Sequence, residues 1–351
     1  MKKLNYGSIL CILAYLALAC FSCFWTAESL FIWQPSLTRA GAWLIAIVFY
    51  AIASISFSKV IKGFEKNTVF KHGLFASRGG HLFFGLIGLL FFWLIVSLPT
   101  NTHTLLYRAS IKSVVTTDIT RTQGYLQGLK DNNIEIKKIN AAYDSKKDKV
   151  DAIILRLIAE IDRPGDEGIG KIFNTALTEL EAVLGTTFQK IPDVGKSRPQ
   201  WLTAINYYQK QAYEQLKLYR AQCDEKIKEI KRLMNSSELD NLINKNKNCM
   251  DNVSDMDGID NNVIAEAVKS LEKSYSYINS NSQYINFKPL DEVRYTREGA
   301  IPEAKEMLSV PDVWKDYLTT DKYDGHGFIW WVLIAFLVDL AAFIFAYKAF
   351  N

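Results

Sequence analysis

The sequence predicts an all-α membrane protein: four transmembrane helices, three before and one after a long helical, coiled-coil-like extracytoplasmic domain. Three observations carry that prediction. Apolar runs occupy residues 7–25, 41–57, 82–98 and 328–347, and crossing a bilayer takes about 20 such residues. Residues 99–327 between the last two runs are polar. Within them apolar positions recur every seven residues, a helical period.

The first three runs carry no charged side chain. Backbone groups in hydrocarbon must be satisfied within the segment, so each run is expected to be a helix. Trp25, Trp33, Trp43, Trp93, Trp330 and Trp331 are expected near one interface, where amphipathic rings gather. The first run has a second reading, as a signal peptide cleaved after Ala17-Leu18-Ala19. Ala17 replaces the large aliphatic residue of a lipoprotein box before Cys20, and the apolar run continues through Phe21, Phe24 and Trp25.

Charge sets the expected orientation. Lys2, Lys3, Lys59, Lys62, Lys66, Lys71, Arg78 and Lys348 fall on one side, with Glu65 as the sole acid there. The 26–40 connection holds only Arg39 and Glu28. Basic loops stay inside, so both termini and the 58–80 loop are expected in the cytoplasm and 99–327 outside, across a bacterial inner membrane. The division is then 1–98 with three spans, 99–327 as the extracytoplasmic domain, and 328–351 with the fourth span and a short tail.

The net charge of +4 hides an asymmetry. Residues 100–326 hold 32 basic and 34 acidic side chains, leaving nine basic and three acidic elsewhere. The excess is a basic rim suited to anionic lipid, not a nucleic-acid footprint. Cys11, Cys20 and Cys23 lie in the first run and read as packing residues. Cys223 and Cys249 form an even pair in the polar segment, and a disulfide is expected between them, with two free thiols as the alternative.

In the polar segment, Leu129, Ile136, Tyr143, Val150 and Leu157 form one seven-spaced series, and Asn132, Ile139, Lys146 and Ile153 a degraded companion. They predict a helix from soon after Pro99 to Asp162, a rod of roughly 85 Å at 1.5 Å per residue, with Gly124 and Gly128 as interruptions. A short helix is expected over 169–184. Pro199 opens a second long helix to Met234, with Leu202, Leu216, Cys223 and Ile230 in one register and Ile205, Ala212, Tyr219 and Leu233 in the other. The two long helices suggest an antiparallel hairpin. The Asn-, Ser- and Asp-rich 235–262 segment reads as a mobile loop with a short helix near Leu239. A helix over 262–277, an extended stretch over 284–295 and a last helix from Pro302 complete the reading.

Few residues invite a chemical role. Asp339 is charged and deep in a span, where an ionisable group is a functional hypothesis by default. Ser54 and Ser56 are expected at comparable depth to satisfy it. The functional readings are ion handling or pairing with a partner's span. The structural one is a protonated carboxyl hydrogen-bonded in the bundle. His103 and His326 flank the third and fourth spans, and with Asp324 nearby they could sense pH or bind a metal. Residues 165–171 match seven positions of a phosphate loop, but Pro164 precedes them and Ile172 stands where a magnesium-binding hydroxyl belongs. In an EF-hand register, Asp255, Asp257 and Asp260 would be flanked by Val253 and Ile264 at the two end ligand positions, and neither offers an oxygen ligand. Asn235 and Asn252 sit in glycosylation-type sequons.

No Ser, Cys or His stands in a context that marks a nucleophile. The expectation is a non-enzymatic envelope protein without cofactor, metal, nucleotide or nucleic acid. It would be a scaffold or sensor whose outer helices engage copies of the chain or another envelope protein and couple them to the bundle in the lipid bilayer. The alternative is a subunit of an ion channel or ion-driven complex that uses Asp339. In outline this plan resembles several bacterial membrane-protein families, and no diagnostic motif ties it to one.

Overall fold

The computed structural model describes residues 6–64, 77–162, 168–320, 323, 325 and 327–350. Every regular element among them is helical. The helices are α1 (Tyr6–Trp33), α2 (Arg39–Phe64), α3 (Arg78–Phe91), α4 (Leu98–Lys130), α5 (Asn133–Glu160), α6 (Lys171–Leu184) and α7 (Arg198–Met234). They continue with α8 (Ser237–Asp255), α9 (Asn261–Ser280), α10 (Pro289–Thr296), α11 (Glu303–Glu306), α12 (Val310–Thr319) and α13 (Phe328–Phe350). Four long apolar helices can cross a bilayer: α1, α2, the continuous helix built from α3 and α4, and α13. Chain contacts group residues 1–123, 245–279 and 288–351 into one unit, and 124–244 with 280–287 into a second.

In the first unit the spans form a bundle with its polarity turned inward. Ser22, Thr26, Ser29, Ser97, Asn101 and Asp339 are buried, while Leu10, Leu44, Leu94, Ile95 and Trp330 are more than 60% exposed. A water-soluble bundle would hide the second group. Lipid reverses the preference, because an outward apolar side chain loses nothing there and an outward carboxyl is costly. Tyr50 of α2 anchors the interior against Phe92 and Phe343, with ring centroids 5.7 and 5.4 Å apart. Trp93, expected at an interface, instead packs on Phe336 and Phe343 inside the bundle. Helices α2 and α3 meet at Gly85, where a Cβ would lie 2.7 Å from the Ser56 carbonyl oxygen and 2.9 Å from the Val60 nitrogen. A small residue lets two backbones approach, the usual device where no hydrophobic force separates helix from lipid.

The third span does not stop at Pro99 as the sequence suggests. A π turn, Phe92–Ser97, joins α3 to α4, and Leu98 N–H bonds back to Trp93 O. Proline lacks an N–H and its ring crowds the carbonyl four residues earlier. The wider π turn places that mismatch in a span that continues to Lys130. Neither Gly124 nor Gly128 breaks α4. The break falls at Asp131-Asn132, so the expected single rod is two helices.

The 235–262 segment, read as a loop, is largely α8. Its Asn-rich composition conceals a buried stripe of Leu239, Leu242, Asn246, Cys249 and Val253 at helical spacing. Asn246 is paid no penalty for burial because Ser270 donates to its Oδ1 at 2.7 Å and its Nδ2 donates to Ser274 Oγ at 3.0 Å. Extended backbone over 285–288 leads into α10, so the extended stretch expected over 284–295 is helical for most of its length.

The second unit holds the predicted hairpin. Helices α5, α6 and α7 share a core of Val150, Ile154, Leu157, Ile161, Phe173, Leu177, Leu180, Ile205, Tyr208, Ala212 and Leu216. The main seven-spaced series of α5 is right. Ile153 of the companion series packs at the edge of this core, and Ile154 and Ile161, one residue later, are the buried positions. Helix α7 begins with a reciprocal cap between Ser197 and Gln200, with Pro199 in the first turn.

Cys223 and Cys249 are both buried and both free, so the expected disulfide is absent. Cys249 lies on α8, in a buried stripe with Asn246 and Val253, rather than on the mobile loop that the sequence suggested.

Candidate functional site

The residues with the strongest claim to a role form a buried polar seam where α1, the third span and α13 meet. Asp339 lies at its deepest point, fully buried. Ser97, at the end of the π turn, donates a hydrogen bond to Asp339 Oδ2. Asn101, one turn on, donates to Ser97 Oγ at 2.9 Å and to Ser22 Oγ of α1 at 3.0 Å. Its Oδ1 accepts from Thr26 Oγ1 at 2.8 Å. Thr26 therefore donates to Asn101, Asn101 to Ser97 and Ser97 to Asp339, a directional chain in which each bond polarises the next. Thr100 lies 3.2 Å from Thr26 and donates to the Val96 carbonyl at 2.6 Å. The π turn thus both accommodates Pro99 and helps set the polar side chains of the third span toward α1 and α13.

The polar face continues toward the α1–α2 turn. Thr104 donates to the Trp25 carbonyl at 2.6 Å. His103 is fully buried, with Nε2 3.0 Å from Met307 O and Nδ1 2.8 Å from Ser29 Oγ. A carbonyl only accepts, so Nε2 carries the proton and Nδ1 of the neutral ring accepts from Ser29. Both nitrogens are engaged. The ring ties α4 to the α11–α12 connection and holds no lone pair ready for a metal. At the mouth, Arg108 grips Glu28 with two bonds of 2.7 and 2.8 Å.

Other sequence expectations separate from this seam. Ser54 and Ser56 do not satisfy Asp339, which is a correction. Each donates to its own helix four residues back, Ser54 to Tyr50 O and Ser56 to Ile52 O, both at 2.9 Å, and Tyr15 OH lies 3.2 Å from Ser54. His326, like Asp324, lies outside the described residues, so the proposed His103–His326 pair rests on His103 alone. Residues 163–167 of the glycine-rich stretch also lie outside them. Gly168 follows with φ +105°, facing the Trp201 ring, and Gly170 caps α6. Asp255 ends α8, while Asp260 caps α9 by accepting from Asn262 N–H at 2.8 Å. Among the described residues no group of three or more His, Cys, Asp or Glu is placed to hold a metal.

The sequence contained a signal for the seam. Residues 22, 26 and 29 on α1, and 97, 101 and 104 on the third span, are polar at intervals of three and four within otherwise apolar helices. That spacing puts each set on one face. Searching for charge alone finds Asp339 and misses its partners. Comparison with protein-family models, curated proteins and solved structures finds no match to this chain.

Proposed function

We propose that this is a non-enzymatic envelope protein of a bacterial inner membrane, a scaffold or sensor whose helices beyond the third span engage a partner. The seam would pass that engagement to the membrane bundle. Both termini would be cytoplasmic and residues 99–327 extracytoplasmic, as the positive-inside rule implies. The observation that supports this most is the third span itself. Its helix continues from Ser97 and Asn101 past His103 into α4, so one element carries both the seam and the histidine bonded to the α11–α12 connection. Ile134 and Leu155 of α5 and Leu218 of α7 are 57–69% exposed, which leaves apolar surface for a second copy or another helical protein.

Affinity purification in mild detergent, with the mass of the complex determined, tests this reading. A defined complex that is lost in a Leu155→Glu, Leu218→Glu double variant of unchanged membrane content supports it. A monomer that behaves as the variant does overturns it.

A second reading, a subunit of an ion channel or ion-driven complex, draws on one specific observation. Asp339 Oδ1 and Tyr50 OH are both buried without a hydrogen-bonding partner. Ion flux through proteoliposomes that disappears in Asp339→Asn, with assembly intact, would favour it over the scaffold.

A further inference from the structure

A separate cavity of about 540 Å³ opens beside the α1–α2 turn, within the first unit. Its lining has two characters. Phe24, Phe31 and Trp43 come from the spans and form an aromatic wall, with Phe24 and Trp43 centroids 6.3 Å apart. Arg39 at the start of α2, Arg108 of α4, Asp257 of the α8–α9 connection and Asn261 at the start of α9 give it a charged and polar wall. A cavity that is aromatic on the span side and charged on the other has the character of a lipid–water boundary, where amphipathic groups reside.

The charges divide cleanly. Arg108 is neutralised by its two-pronged bond to Glu28. Asp260 is engaged at the α9 cap. Arg39 lies over the Phe31 ring, 5.0 Å from its centroid, and makes no ion pair among the described residues. Asp257, exposed in the loop, makes none either. The cavity therefore offers one cation and one anion without an ion-pair partner among the described residues, beside an aromatic wall.

We propose that this cavity binds the headgroup of a phospholipid with a primary amine, of the phosphatidylethanolamine class. Arg39 receives the phosphate, and its planar guanidinium matches phosphate oxygens with two parallel hydrogen bonds. Asp257 accepts hydrogen bonds from the ammonium group. The aromatic wall supports the glycerol and the first methylenes as the acyl chains pass down the exposed side of α2. A quaternary headgroup has no N–H for Asp257, and a glycerol headgroup has no cation, so the site selects the primary amine. This inference does not depend on the scaffold reading.

The test is native mass spectrometry of the full chain in detergent, titrated with ethanolamine, choline and glycerol phospholipids of matched acyl chains. The ethanolamine lipid is expected to bind about tenfold more tightly than the other two, the scale of one charge-assisted hydrogen bond. Arg39→Gln should weaken all three. Asp257→Asn should erase the preference and leave the glycerol lipid unaffected. Both positions are exposed and make no ion pair among the described residues, and an unchanged melting temperature checks that each variant is folded. Equal binding of the three lipids, or a preference that survives both substitutions, overturns the proposal. Displacement of the lipid by an equal concentration of soluble glycerophosphoethanolamine overturns it too, because the headgroup alone would then be the ligand.

Discussion

Burial works against the charge of Asp118, which lies 20 residues beyond the apolar part of the third span. Desolvation raises its carboxyl above the usual carboxylate range, and Glu303 adds to the effect. Tyr275 OH, donating at 2.7 Å, the Ala304 N–H at 3.3 Å and the Arg121 charge oppose it without cancelling it. A folded-state value above the unfolded one means that the protonated form is the one folding favours. Its stabilising contribution is complete below the unfolded carboxylate value and is lost as pH rises through the folded value. Wild type should therefore exceed Asp118→Asn in melting temperature most at low pH, with the gap shrinking toward pH 8. A gap that widens with pH would show the carboxylate to be the stabilised form. Asn101 makes a different prediction. It makes two hydrogen bonds to α1 and one to Ser97 in its own span, and side-chain hydrogen bonds in membrane proteins average about 0.6 kcal/mol each. Asn101→Leu should thus cost about 2 kcal/mol in a reversible unfolding assay, whereas Asn101→Gln, which keeps the amide, should recover part of that loss.

At the scale of elements, glycine substitutions should have opposite signs according to what surrounds them. Gly85→Ala forces a Cβ onto the Ser56 and Val60 backbone of α2. Overpacking of this kind costs about 1–3 kcal/mol. Gly128→Ala in α4 meets nothing within 4 Å. It removes only the helix penalty of glycine and should stabilise by about 0.5–1 kcal/mol. Melting temperatures of the two variants, measured side by side, check both signs. The elements also show what the sequence could convey. The four spans were legible because hydropathy over a bilayer's thickness depends on composition, not on neighbours. The α5 and α7 seams were legible because periodicity survives without coordinates. Helix α8 was not, because local propensity disfavours Asn, and only contacts with Ser270 and Ser274, more than 20 residues away, make Asn246 a core residue. Gly124 and Gly128, expected to interrupt the rod, are helical, and a Cβ at either would meet nothing within 4 Å, so no neighbour forces a break there.

Across the whole molecule, the site was half legible. Asp339 stood out as a lone charge in lipid, but its partner Ser97 is 242 positions away, and no local pattern links them. Pro99 marked an irregularity, yet the sequence alone suggested a helix boundary where a π turn carries the helix through. The resulting account is of a bundle with a buried polar seam, which the third span carries out to α4. His103 and Met307 extend it to the α11–α12 connection. The most direct measurement of that coupling is hydrogen–deuterium exchange of the full chain in detergent, comparing wild type with Asn101→Leu. Faster exchange in the variant over 104–123 and 303–319, well beyond the substituted turn, is the predicted result. A change confined to the turn around residue 101, with 303–319 exchanging as in wild type, would contradict the seam as a coupling element.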